Sequence, residues 1–331
     1  MSRLRLTVDL QRRGHQSGDL LVPWSDNRTP LGRYPVPVIT LAGGPGPVVL
    51  ILGGVHGDEF EGLSAIMRLV RDLKPEELCG RVIMLPCANA AAVSASSRCS
   101  PLDGGNLNRA FPGDPDGSPT AMIADWLQRW MIPQCDAVVD LHSGGKASFF
   151  VPCSLPQAGI NPSLDSANLA LATAMGLPVI WRLGAQNDDR SVNAACARAG
   201  VPCVATELGG GGGVDPKITD MAEAGLLRVL RHLGMLADAP PLPEGANGAR
   251  VEIIDPADHI MAPARGLFDR RCHAGDRVAQ GDLAGWLHFP EEPDRAALPL
   301  RFPQSGLVLA HTARGLIERA DMLALVARYV H

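Results

Sequence analysis

The chain has 331 residues, 46% of them hydrophobic and 20% charged, and a formal net charge of −5. That length suits one large domain with a small companion, and the composition is that of a folded globular protein. The negative balance and the lack of any basic run exclude a nucleic-acid surface built on phosphate contacts.

The opening MSRLRLTVDL alternates apolar and polar residues before QRRGHQSGD. It reads as a strand and turn, not as the long apolar segment of a signal peptide. Residues 1–46 are accordingly expected to form an N-terminal β-rich extension, which the sequence attaches to neither body. No stretch is long enough to span a membrane, so a cytoplasmic location is expected. The eight cysteines include no CxxC pair, which removes zinc-ribbon and thioredoxin motifs. Those inside apolar runs, such as Cys87 and Cys203, read as small buried hydrophobes.

Residues 47–236 alternate buried-strand runs with helical patterns, the mark of an α/β domain with a mostly parallel sheet flanked by helices. The strand runs are VVLILGG, RVIMLPCAN, AVVDLHSGG, FFVP and VPCVATELGGG. Helices are expected over 61–73, 118–134, 162–175, 190–199 and 220–236. Ser118-Pro119 is a good helix start, and Gly176 and Gly200 are good stops. ADAPPLPEGAN (237–247) is a linker. Beyond it, residues 247–331 read as short strands broken by glycines, a small all-β domain.

Four segments carry chemistry. The first, Gly53-Gly54-Val55-His56-Gly57-Asp58-Glu59, follows the apolar run VVLIL and precedes a helical pattern. Residues three apart at a strand-to-helix turn converge on one point, and imidazole with carboxylate is ordinary zinc chemistry. On the tetrapeptide alone, a structural histidine at a loop start is the favoured reading. The second is Asp140-Leu141-His142-Ser143-Gly144-Gly145, again at a strand end. Sites in open α/β sheets assemble at carboxyl ends of strands, so His56 and His142 can meet. Asp140 is placed either to orient that imidazole or as a structural aspartate.

The third is Glu207, closing a buried strand before five glycines. A carboxylate there is costly unless functional or paired, and a helix-capping or salt-bridged glutamate is the alternative. The glycines permit close backbone approach or a mobile loop. The fourth is Asn106-Leu107-Asn108-Arg109, where a guanidinium fork and an amide suit a carboxylate. Arg98 is a candidate for polarising a carbonyl.

Together these segments resemble the succinylglutamate desuccinylase/aspartoacylase family, a branch of the zinc-carboxypeptidase-like hydrolases. The resemblance spans about 47–236 and rests on HGDE–EG, SPxDxGNLNRxFPG, DxHSGGK and TELGGGG. Within the family the patterns are most similar to those of N-acetyl-diaminobutyrate deacetylases. The resemblance implies one zinc per chain on His56, Glu59 and His142. It further implies Glu207 as general base, Arg98 as carbonyl polariser, and Asn108 and Arg109 as carboxylate binders. The implied activity is removal of an acyl group from a small N-acylated amino acid, an amide other than a peptide bond.

The C-terminal stretch resembles the barrel-sandwich fold of biotinyl and lipoyl carrier domains. Carrier chemistry needs a lysine, and Lys217 is the last in the chain. The domain is therefore expected to cover the site's mouth or build a homo-oligomer, with His259, His273, His288 and His311 as ordinary surface or core residues. Two other readings stay open: a zinc carboxypeptidase cutting peptide ends, and a non-catalytic metal- or ligand-binding protein. A binding module has no need of Glu207.

Overall fold

The run Val48–Leu52 is apolar at every position because its strand is covered on both faces. In the computed structural model, which describes residues 3–27, 29–184, 187–253 and 259–330, this run ends the strand Gly44–Leu52. Its side chains alternate between two cores. Leu50 and Leu52 face Met122, Ile123, Leu127 and Val192, while Val49 and Ile51 face Ile66, Leu69, Leu171, Leu226 and Val229. Each such fully buried side chain contributes about 1.5–3 kcal/mol.

Gly44–Leu52 lies between Cys79–Leu85 and Ala137–His142, parallel to both. Cys203–Glu207 adds a fourth parallel strand beside Ala137–His142. Beyond these the sheet is mixed. Cys153–Pro156 runs antiparallel to Cys203–Glu207, and Val179–Trp181 runs parallel to Cys153–Pro156.

The N-terminal residues, unassigned from sequence, form a long hairpin of Gly14–Asp26 and Thr29–Ala42. Its second strand pairs antiparallel with Cys79–Leu85 and so widens the main sheet at one edge. At the other edge Ala249–Glu252, beyond the linker, continues the sheet beside Val179–Trp181. Met322–Tyr329 pairs with it in turn. Gly306–Thr312 and His259–Met261 pair with Met322–Tyr329, and Arg277–Val278 pairs with Gly306–Thr312, so that five C-terminal strands join the large sheet among the described residues. A separate antiparallel sheet is built from Leu298–Arg301, Leu283–His288, Gly266–Arg270 and Leu316–Ile317.

Helix Pro162–Met175 has the expected bounds, capped by Asn161 and stopped at Gly176, whose φ is 67°. Helix Val192–Ala199 is capped by the Ser191 side chain and ends at Gly200. Two expected helices differ. The span 118–134 is α-helical only over Pro119–Trp126, then loosens into a π turn and a 3₁₀ turn. The last helix is Pro216–His232, not 220–236, because Asp215 accepts from the amides of Lys217 and Ile218 ahead of proline. That is the start signal already visible at Ser118-Pro119. Among the described residues no helix is long and apolar enough to cross a membrane.

Candidate active site

Three parallel strands end side by side, with Leu52 in register with Asp140 and His142 with Glu207. The chain leaving Leu52 turns through Gly53-Gly54 to His56. Gly57 has no room for a β-carbon against the backbone of Ala92, so this turn requires glycine. Glu59 follows just before helix Glu61–Asp72.

His56, Glu59 and His142 are buried together, and one ligand atom from each lies within 4.8 Å of the others. Nδ1 of His56 is 2.7 Å from Glu59 Oε1, and Nδ1 of His142 is 2.9 Å from Glu59 Oε2. The outer ring nitrogens have their own partners. Nε2 of His142 is 2.8 Å from Asp140 Oδ2, and Nε2 of His56 is 3.1 Å from Asn106 Oδ1. An acceptor on each outer nitrogen keeps its proton there and leaves Nδ1 for a metal. Two imidazoles and a carboxylate in this arrangement fit zinc.

The electrostatics follow. Burial opposes ionisation of Glu59, but the charges and hydrogen bonds of His142 and His56 outweigh it and hold the carboxyl below the usual carboxylate range. Burial is the largest influence on both histidines. It lowers His56, whereas Asp140 and Glu59 override it and raise His142.

Glu207 closes the neighbouring strand. Its Oε2 is shielded from solvent and has no hydrogen-bond partner among the described residues. Burial, reinforced by the charge of Glu59, pushes its carboxyl up to about 8. Arg98 leans over the cluster, its Nη1 3.3 Å from His56 Nδ1 and 3.4 Å from Glu59 Oε1.

Asn108 and Arg109 sit on the turn Leu107–Arg109. The Asn108 amide oxygen accepts from Val192 N at 2.9 Å, and its nitrogen is 3.3 Å from His142 Nε2. That imidazole nitrogen already faces Asp140, so the amide protons of Asn108 remain for a ligand. Arg109 Nε pairs with Asp188 at 3.0 Å. Asp188 is held well below the usual carboxylate range, first by its hydrogen bonds with Arg190 and also by Arg109.

All four expected segments therefore face one pocket of about 260 Å³, lined among others by His56, Arg98, Arg109, His142 and Glu207.

Residues 45–233 match the succinylglutamate desuccinylase/aspartoacylase catalytic domain. The chain belongs to that family. One relative, the N-alpha-acetyl-L-2,4-diaminobutyric acid deacetylase of Halomonas elongata, is 33% identical over 329 residues, covering 99% of this chain and 96% of the relative. Among solved structures, the product-bound ectoine utilization protein EutE (DoeB) of Ruegeria pomeroyi superposes with a TM-score of 0.95. It is 33% identical, with 99% of both chains covered. A succinylglutamate desuccinylase/aspartoacylase of Rhodobacter sphaeroides gives 0.93 at 35% identity, covering 99% of this chain and 100% of that one. The fold of this family member is thus the large mixed sheet with flanking helices of those structures.

Several pocket residues were not singled out in the sequence. Trp181, Leu183, Ile253 and Leu325 form an apolar wall of the pocket, two of them from beyond the linker, and His259, read from the sequence as an ordinary surface or core histidine, lines it as well. Short apolar strands give no chemical signal, so only the fold reveals them. Asn106 and Asp188 carried a weak signal, as polar residues in loops, but nothing in the sequence assigned them partners.

Proposed function

We propose that the protein is a zinc-dependent deacylase that hydrolyses the amide of a small N-acyl amino acid, with N-acetyl-diaminobutyrate as the favoured substrate. The observation that carries this reading is the pairing of the His56–Glu59–His142 cluster with the Glu207 carboxylate at the next strand end, whose Oε2 has no hydrogen-bond partner among the described residues. A structural ion site would need the first but not the second.

Zinc on His56, Glu59 and His142 supplies Lewis acidity towards water and the amide carbonyl when bound. Glu207 accepts the proton of the attacking water and returns it to the departing amine nitrogen as the C–N bond breaks. Burial raises its pKa in the metal-free site, and the charge of a bound zinc would offset that rise, so that the carboxylate could accept a proton. Arg98 opposes the negative charge that grows on the carbonyl oxygen. Arg109 and the Asn108 amide hold the α-carboxylate, and Asp188 keeps the Arg109 side chain in place.

Size supports a small substrate. A pocket of about 260 Å³ lies just below the usual range for small-molecule sites, about 300–1,000 Å³. The wall from Ile253, His259 and Leu325 leaves little room for a peptide. The fold of residues 47–236 is read as zinc-carboxypeptidase-like, and residues 247–331 as a barrel-sandwich-like domain that narrows the mouth. The name of the Halomonas relative points to the diaminobutyrate skeleton.

The test is a screen of zinc-loaded protein against N-acetyl-diaminobutyrate, N-succinyl-glutamate and a set of dipeptides, reading released amine. Turnover concentrated on the acetylated substrate supports the proposal. Preferential cleavage of dipeptides would replace it with the carboxypeptidase reading.

A further inference from the structure

The glycine loop that follows Glu207 has no side chains with which to fix itself. Gly209, Gly210, Gly211 and Gly212 all have positive φ, between 71° and 138°. Such a segment keeps one conformation only if its neighbours impose it. Those neighbours lie in residues 144–150, immediately after His142. Gly209 O accepts from Gly144 N at 3.0 Å and from Phe150 N at 2.9 Å, and Gly211 N donates to Ser148 O at 3.1 Å. A β-carbon on Gly144 or Gly210 would collide with the Ser148 carbonyl oxygen, so the two backbones touch.

The segment 144–150 is itself held from outside. Ser148–Phe150 pairs with Gly306–Thr312 of the C-terminal half, placing Phe149 directly across from His311. The two rings stack with centroids 5.7 Å apart and planes 11° from parallel. A β-carbon on Gly209 would sit 3.4 Å from the Phe149 ring, so that ring also reaches the loop. His311 is buried and immobilised in turn, with Nδ1 donating to Thr312 O at 2.9 Å and His273 edge-on to its ring.

We infer that the Phe149–His311 stack is the strut through which the C-terminal half positions the glycine loop, and through it Glu207. His311 and Phe149 are thus positioning residues for the deacylation, and His311 is more than an ordinary core histidine. The inference rests on Glu207 acting as proposed. It assigns the C-terminal half a role in catalysis beyond covering the mouth.

The experiment compares His311→Ala and Phe149→Leu with His311→Phe, which keeps a ring to stack. Leu323→Ala serves as a control, because it opens the buried C-terminal core while leaving both rings of the stack in place. Amide hydrogen exchange of residues 209–213, zinc content, Tm and steady-state rates are measured on each zinc-loaded protein. In His311→Ala and Phe149→Leu the loop amides should exchange faster. In both, kcat should fall about 10- to 100-fold, the scale of small misplacements, with KM and zinc content kept. His311→Phe should restore both readouts, and Leu323→Ala should lower Tm while leaving both near wild type. Unchanged loop exchange in both strut variants would overturn the inference, as would unchanged kcat. So would a kcat loss in Leu323→Ala that matches theirs at equal Tm. If the wild-type protein releases no amine from any substrate, the deacylase reading fails, and the exchange data alone still decide whether the strut holds the loop.

Discussion

Asp140 Oδ2 lies 2.8 Å from Nε2 of His142, on the side of the ring away from Glu59. This contact fixes which nitrogen keeps its proton and turns Nδ1 towards Glu59 Oε2, 2.9 Å away. Under the proposed zinc reading, Asp140 is therefore placed to prepare His142 as a ligand.

Replacing it tests that role. Asp140→Asn keeps the size but offers a mixed donor and acceptor, so the imidazole loses its fixed tautomer. Zinc affinity is expected to fall about 10- to 100-fold, the usual cost of removing such a partner. Competition with a chromophoric chelator measures it. An unchanged affinity would return Asp140 to the structural role its sequence position equally allowed.

The buried Glu207 carboxyl predicts an inverse relation between function and stability in the metal-free protein. Its pKa is raised from an ordinary 4.5 to about 8, chiefly by burial. Below pH 4.5 the group is protonated in the folded and unfolded chains alike, so its burial carries no ionisation cost and stability is at its full value. Between pH 4.5 and 8 the unfolded chain releases the proton while the folded chain retains it, so that stability is lost as pH rises. Glu207→Gln removes the effect. Metal-free Glu207→Gln should melt close to wild type at pH 4.5 and a few degrees above it at pH 8.5. A variant that melts lower at both pH values would mark Glu207 as a structural residue.

Arg109 and Asp188 form a pair 3.0 Å apart at the pocket rim. Arg109→Ala should raise KM for an N-acetyl amino acid, with a smaller effect on the matching α-amide, which lacks the carboxylate. Asp188→Asn should raise KM in the same direction but less, because it loosens Arg109 without removing it. Steady-state kinetics on both substrates check this. Equal losses on acid and amide would show that Arg109 does not read the carboxylate.

Much of the site could be read in the sequence because its residues lie at strand ends, where apolar runs stop abruptly. His56 after VVLIL, His142 after AVVD and Glu207 after VPCVAT are separated in sequence, yet parallel pairing brings the three strand ends together. Helix Pro162–Met175 was legible because cap, proline and stop glycine are all local. The edges of the sheet were not. Whether Thr29–Ala42 pairs with Cys79–Leu85, or Ala249–Glu252 with Val179–Trp181, depends on long-range register that short alternating patterns do not encode. The wall of Trp181, Ile253 and Leu325 was hidden for the same reason. The five glycines admitted two readings, a mobile loop or close backbone approach. The structure shows the approach, with the loop bonded to residues 144–150.

The most direct test of the account is Glu207→Gln in the zinc-loaded protein, with metal content and deacylation rate measured on one preparation. The substitution keeps size and hydrogen bonding but removes the proton acceptor. The account predicts one zinc per chain, as in the wild type, and a turnover of N-acetyl-diaminobutyrate lowered by about 10²–10⁴-fold or more, the usual share of a general base. Near-wild-type turnover in a zinc-replete Glu207→Gln protein would contradict it.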